Sequence, residues 1–203
     1  MVGGDDDHAI TEFDGVVAGR DAALAAADDR GDEHGVLELE RLERHIEKLA
    51  LGAHDEFQRL GLPVSRLTFP AIWLTVRFTT LDVPQTIVPR IVRLMQRWRA
   101  AGNQVVGLQV DFDAATYQLA DYAQFLQQLR QQLPPEFALG VTGLLDWAKT
   151  GDIATLNALA VDELVVQSYQ GRRTVANYQD YLPALTRLNI PFKLGLVQAR
   201  SEE

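Results

Sequence analysis

The sequence predicts an α/β protein, most of a (β/α) TIM-type barrel, with parallel strands covered by helices and the barrel incomplete or truncated. Three observations predict it. Short apolar runs alternate with amphipathic stretches from Ala71 to the C-terminal end. They recur at roughly 25–35 residues, the span of a strand–helix–strand unit. Polar side chains also recur at alternate positions near the ends of the apolar runs, as a half-polar strand face requires.

The elements follow in order. Strands are expected at Ile72–Thr79, Val105–Val110, Phe137–Thr142, Leu164–Tyr169 and Phe192–Val197. Helices are expected at Pro84–Arg99, Tyr117–Leu133, Ile153–Leu159 and Tyr178–Leu188. The glutamine-rich stretch Gln124–Gln132 keeps Tyr122, Phe125, Leu126, Leu129 and Leu133 at helical spacing, so its glutamines read as a solvated helix face. Upstream, Leu39, Leu42, Ile46, Leu49 and Leu51 predict an amphipathic helix from Val36 to about Leu60, ended by Gly61 and Pro63. Residues 1–35, with Asp5-Asp6-Asp7 and Asp28-Asp29, read as an acidic, weakly ordered segment that holds at most a short strand near Phe13–Val17. Residues 36–203 read as a single barrel-like domain.

Length bounds the architecture. A closed eight-stranded barrel usually takes about 250 residues, and this chain has 203. Five strands are clear, and the first 70 residues offer at most one or two more. An unclosed sheet leaves unpaired edges, so self-association through an open edge is an expectation.

Composition excludes several chemistries. The net charge of -9 disfavours nucleic acid and anionic membranes as partners. The absence of cysteine removes disulfides, thiolate catalysis and zinc–sulfur sites. His8, His34, His45 and His54 lack metal-ligand spacing. No phosphate-cradling glycine loop and no Gly-x-Ser-x-Gly elbow are present. No cofactor and no metal are therefore expected. The first residues carry no basic segment followed by an apolar run, so the expected location is cytoplasmic.

The chemistry is expected at one strand end. If the second clear strand continues through Gln109, Asp111 and Asp113, those side chains share a face near its C-terminal rim, with Val110 and Phe112 facing the helices. Two carboxylates in one hollow repel, which leaves one able to hold a proton for a leaving oxygen, as a glycosidic general acid does. Thr75 and Arg77 lie opposite the apolar set Ile72, Leu74, Val76 and Phe78, and Arg77 is one strand away from Asp111. Gln167 and Tyr169 share a face, and Gly140 and Thr142 leave room for a ligand. Alternatives stand beside each reading. Asp113 could serve a turn or a helix start, Asp111 with Arg77 could be a structural ion pair, and Tyr169 could be a buried ring.

A resemblance follows from these residues. Trp73–Arg77, Gly107–Asp113, Thr142–Trp147, Gln167–Arg172 and Pro191–Leu196 resemble the bacterial domain-of-unknown-function family numbered 3142, over roughly Ala71 to Gln198. Related chains continue into a further strand, so the chain is read as a shortened or divergent member. More distantly, Gly107–Asp113 is similar to the fourth-strand motif Gly-Leu-Asp-Ile-Asp-Trp-Glu of the chitinase-like family-eighteen glycoside hydrolases. On that resemblance Gln109 stands at the first aspartate, Asp111 at the second, and Asp113 at the acid glutamate, one methylene shorter. Gln167-Ser168-Tyr169-Gln170 is similar to the sixth-strand Met-x-Tyr-Asp, whose tyrosine positions an acetamido group.

The resemblance implies a protein that cleaves or binds an oligosaccharide or polysaccharide. Asp113 would be the general acid and Asp111 its electrostatic partner. Gln109, Gln167, Tyr169, Arg77 and Gln170 would hold the sugar, with Trp147 as a stacking surface. The alternatives are a non-catalytic carbohydrate-binding protein, motivated by the missing carboxylates, and an interaction protein that uses its open edge.

Overall fold

The computed structural model describes residues 64–67, 69, 71–170 and 173–197, together with the strand backbones at 15–19, 46–51 and 57–59; of residues 170, 173, 196 and 197 it describes the backbone alone. Eight strands form one sheet in the order β1-β10-β7-β6-β5-β4-β2-β3. Its centre is parallel: β4 (Ile72–Arg77), β5 (Val105–Asp111), β6 (Ala138–Leu144), β7 (Glu163–Gln167) and β10 (Phe192–Val197). On the β4 side lie β2 (Ile46–Leu51), parallel to β4, and then β3 (Phe57–Arg59), antiparallel to β2. On the other side β1 (Gly15–Gly19) runs antiparallel to β10. A separate two-stranded ribbon joins β8 (Tyr169–Gln170) to β9 (Arg173–Thr174).

The helices are α1 (Ile87–Ala100), α2 (Leu119–Gln132), α3 (Asp146–Thr150), α4 (Ile153–Asn157) and α5 (Leu182–Leu185). The two long ones form as their periodicity dictates. In α1 the buried residues are Ile87, Val88, Ile91, Met95 and Trp98, while Arg97 and Arg99 in the last turn complement the carbonyl end of the dipole. Gly102, at a φ of 91°, lets the chain turn out of this helix. In α2 the buried residues are Leu119, Tyr122, Leu126 and Leu129, and every glutamine of the Gln124–Gln132 stretch is exposed, as expected.

Because the five central strands are neighbours in chain order, each connection steps the same way along the sheet. Right-handed crossovers then place every covering helix on one face. The packing follows. Ile72, Leu74, Val76, Phe78, Leu108, Val110, Leu139, Val141, Leu164 and Val166 share one hydrophobic core with the helices. Val165 and Tyr169 are also buried but lie outside that core. The opposite face carries Thr75, Arg77, Gln109, Asp111, Thr142 and Glu163 and is polar.

Three sequence expectations are corrected here. No pairing among the described residues closes the sheet into a barrel: antiparallel strands end it on both sides, and the all-parallel run supplies six strands where a barrel uses eight. The helix expected from Val36 to Leu60 is replaced in its described part by β2 and β3. Ile46–Leu51 finds a strand partner in β4, and such pairing outweighs local helical spacing. Finally, Asp146–Thr150 is an additional helix, and the one expected at Tyr178–Leu188 shrinks to a 3-10 turn at Tyr178–Tyr181 followed by Leu182–Leu185. Among the described residues no helix is long and apolar enough to cross a membrane.

Two glycines set how closely the strands and one indole approach. A Cβ on Gly107 would stand 2.2 Å from the Ala138 carbonyl oxygen and 2.8 Å from the Trp73 ring. On Gly140 its nearest neighbour would be that ring, at 3.1 Å. Trp73 thus lies across the polar face over two residues that have no side chain. Gly107→Ala is expected to destabilise the protein by about 1–3 kcal/mol or more, because backbone must move. Gly140→Ala should cost less, since a ring edge can shift. Urea unfolding followed by tryptophan fluorescence checks the order.

Candidate functional site

The polar face gathers its groups by register. In the β4–β5 ladder Thr75 stands opposite Gln109 and Arg77 opposite Asp111. On the other side Gln109 is opposite Gly140, which brings Thr142 up beside Asp111. A register shift next to Trp73 sets this alignment: β5 carries an extra residue there, so Val105 and Leu108 both reach the core while Gly107, Gln109 and Asp111 face away from it.

Asp111 is held from both sides. Its Oδ1 accepts from the Thr142 hydroxyl at 3.0 Å, and its Oδ2 accepts from Arg77 Nη1 at 3.3 Å. Its side chain is 7% exposed against 45% for Arg77. The backbone is pinned as well, since the Asp111 carbonyl accepts from the Phe78 N–H at 2.9 Å.

Asp113 arrives differently. The strand ends at Asp111, and the Ala114 N–H turns back to the Phe112 carbonyl at 2.9 Å, which puts Asp113 at the centre of a three-residue turn. There its Oδ2 accepts from Arg77 Nη2 at 2.9 Å with the side chain 52% exposed. It does not cap a helix: Ala115 precedes the 3-10 turn Thr116–Gln118, and Gln118 precedes α2. The guanidinium therefore bridges one buried and one exposed carboxylate, and their mutual repulsion is met by a positive charge.

The remaining expected residues are placed as follows. Gln109 is buried on the polar face beside Thr75. β7 ends at Gln167, and Tyr169 opens the β8–β9 ribbon with its ring packed on Gly195. Burial, with the Asp111 charge adding to it, raises the Tyr169 hydroxyl above the ordinary tyrosine range, while the Gln167 side chain acts in the opposite sense. These links bring Gln167, Tyr169 and Asp111 into one neighbourhood. The side chain of Gln170 lies outside the described residues.

Trp147 is corrected outright. It is 1% exposed, sits in the core on the helix side, and donates from Nε1 to the Ala114 carbonyl at 2.7 Å. A ring so enclosed offers no stacking surface. The room expected above Gly140 is likewise taken by Trp73.

Two contributors were missed from sequence. Trp73 alternates with Thr75 and Arg77, so period-two spacing already assigns it to the polar face. Thr142 was read as a small residue, and its role as a partner of Asp111 needed the register between β5 and β6. Among the described residues no group of three or more His, Cys, Asp or Glu side chains could hold a metal.

With this geometry in place, one comparison is informative. Residues 65–186 match the family described as Domain of unknown function (DUF3142). The chain belongs to that family. The match spans β4 to α5 and so includes Arg77, Asp111, Asp113, Thr142, Gln167 and Tyr169. No curated protein matches the chain. No solved structure matches it either.

Two predictions follow from the site. Arg77→Met leaves the buried Asp111 with Thr142 alone and should cost about 1–3 kcal/mol, the range for losing a charged hydrogen bond, with solvent at the half-exposed guanidinium favouring the low end. Arg77→Met/Asp111→Leu should recover most of that loss in urea titrations, because no lone charge stays buried.

The second concerns alkaline pH. Burial raises the Tyr122 hydroxyl well above its usual value, with the charges of Asp111 and then Asp113 adding to this. A folded-state value above the unfolded one contributes stability that is complete below about pH 10 and is lost as pH rises toward the folded value. Stability should therefore fall above pH 10, and Tyr122→Phe/Tyr169→Phe should flatten that fall in unfolding curves taken at successive pH values. At pH 7 Tyr122→Phe alone should be neutral or stabilising, because this buried hydroxyl has no hydrogen-bond partner among the described residues.

Proposed function

We propose that the C-terminal rim of this sheet binds a neutral, polyhydroxylated ligand of the carbohydrate class, and that binding rather than cleavage is its function. One observation carries the reading: Arg77 bonds Asp111 and Asp113 together. Two carboxylates and one guanidinium present acceptors and donors side by side with little surplus charge. A few convergent polar groups beside buried aromatic and apolar surface are what recognition of a small polar ligand uses. Gln167 adds amide donors and acceptors beside the buried Tyr169 ring.

The sequential strand order supports reading the fold as an arc of a (β/α) barrel. Barrel enzymes place ligands at this end of their strands, and an open sheet of parallel strands also binds beyond the strand ends. The similarity of Gly107–Asp113 to the chitinase-like motif supports a sugar as the ligand. The pairing of Asp113 argues against its use as a general acid, because one of its two carboxylate oxygens already accepts from Arg77.

Hydrolysis is the second reading, and the exposure of Asp113 at the rim favours it. The test incubates the full chain with neutral oligosaccharides and follows both binding, by calorimetry, and release of reducing ends. The expected result is binding without turnover, weakened by Gln167→Ala. Turnover that falls about 100-fold or more in Asp113→Asn would instead establish the hydrolase.

A further inference from the structure

Asp113 sits on the β5–α2 loop, which carries one more side chain of note. Four residues on, Tyr117 is 84% exposed, the one large hydrophobic side chain so exposed among the described residues. A single exposed aromatic on an arbitrary surface needs no explanation. Here its setting supplies one, because the loop displaying it is built to hold still.

Ala114 is fully buried, and its carbonyl accepts from the buried Trp147 indole at 2.7 Å. The Ala115 N–H donates to the Gln118 side-chain oxygen at 3.1 Å, and the Gln118 N–H donates to the Ala115 carbonyl at 2.8 Å. These bonds lock the turn Thr116–Gln118 on both sides of Tyr117. At the head of the loop Asp113 is tied to Arg77. The loop thus carries a carboxylate and a fully displayed phenol on one pinned segment.

The aromatic side chains flanking it pack inward. Tyr122 on the adjoining helix is buried against Phe112, Phe125 and Trp147. The tyrosine that is left out is the one nearest in sequence to Asp113.

We infer that Tyr117 is the aromatic platform of the rim site, stacking its ring on the apolar face of a pyranose whose hydroxyls bond to the Arg77–Asp113 pair. This rests on the carbohydrate reading above. A sugar ring presents C–H groups on its faces and hydroxyls around its edge, so it needs a flat apolar surface next to polar groups. Tyrosine suits the role, since its ring is rigid and little conformational freedom is lost on contact. Trp147 serves the platform indirectly, holding the loop from beneath as a positioning residue.

The experiment measures binding of cellohexaose, chitohexaose, xylohexaose and maltohexaose to the full chain by calorimetry, for wild type, Tyr117→Ala, Tyr117→Leu and Tyr117→Phe. Thermal melts accompany each variant and should match wild type, because the side chain packs on little. The expected result is a loss of affinity of about tenfold in Tyr117→Ala, as for an aromatic anchor, a similar loss in Tyr117→Leu, and near-wild-type binding in Tyr117→Phe. Leucine retains apolar area without a flat face, so full binding by Tyr117→Leu overturns stacking. Equal binding by wild type and Tyr117→Ala overturns the platform while leaving the carbohydrate reading intact. If wild type binds none of the four sugars, the carbohydrate reading falls, and this inference with it.

Discussion

Arg77 and Asp111 face each other in register on adjacent parallel strands, and the polar side of this molecule is arranged around that pair. A carboxylate buried to this degree is costly without compensating charge and hydrogen bonds. Arg77 and Thr142 provide them from the strands on either side, so three neighbouring strands are tied at one level. The same guanidinium reaches past the strand end to Asp113 and fixes the start of the loop beyond. Stability at the rim and the shape of the candidate site therefore have one electrostatic origin.

The constraint behind this arrangement is topological. Strands that neighbour one another in chain order, joined by right-handed crossovers, receive their helices on one face only. That face becomes a continuous apolar core. The other face receives none of these crossover helices, and it carries the alternating polar set instead. Trp73 sits on this side over Gly107 and Gly140, where the missing side chains make space for an indole. Tyr169 does the same over Gly195 at the other end of the parallel run. Large rings over glycines are thus a repeated means of filling the polar side.

The two tryptophans show where spacing along a strand assigns a face and where it does not. Trp147, in a run beside a strand end, reads as a surface available to a ligand. It is instead deep in the helix-side core and spends its one donor on the Ala114 carbonyl. Trp73 alternates with Thr75 and Arg77 and lies on the polar face. Alternation along a single strand distinguishes the faces, which is why Trp73 was open to prediction. Trp147 follows the end of its strand, where that rule no longer applies.

Much of this protein was therefore determined by sequence pattern alone. Period-two and helical spacing marked five of the six parallel strands and the two long helices, placed Gln109 and Asp111 on one face with Arg77 within reach, and carried the motifs of the family. Those signals are local, each read within a single element. What only the tertiary structure decided depends on contacts between elements distant in the chain. Ile46–Leu51 became a strand because β4 offered it a partner, although its spacing suits a helix. The sheet's ends, the turn that carries Asp113, the hydroxyl of Thr142 on Asp111 and the indole of Trp147 beneath Ala114 all rest on register and packing. Register between strands leaves no mark on either strand taken by itself.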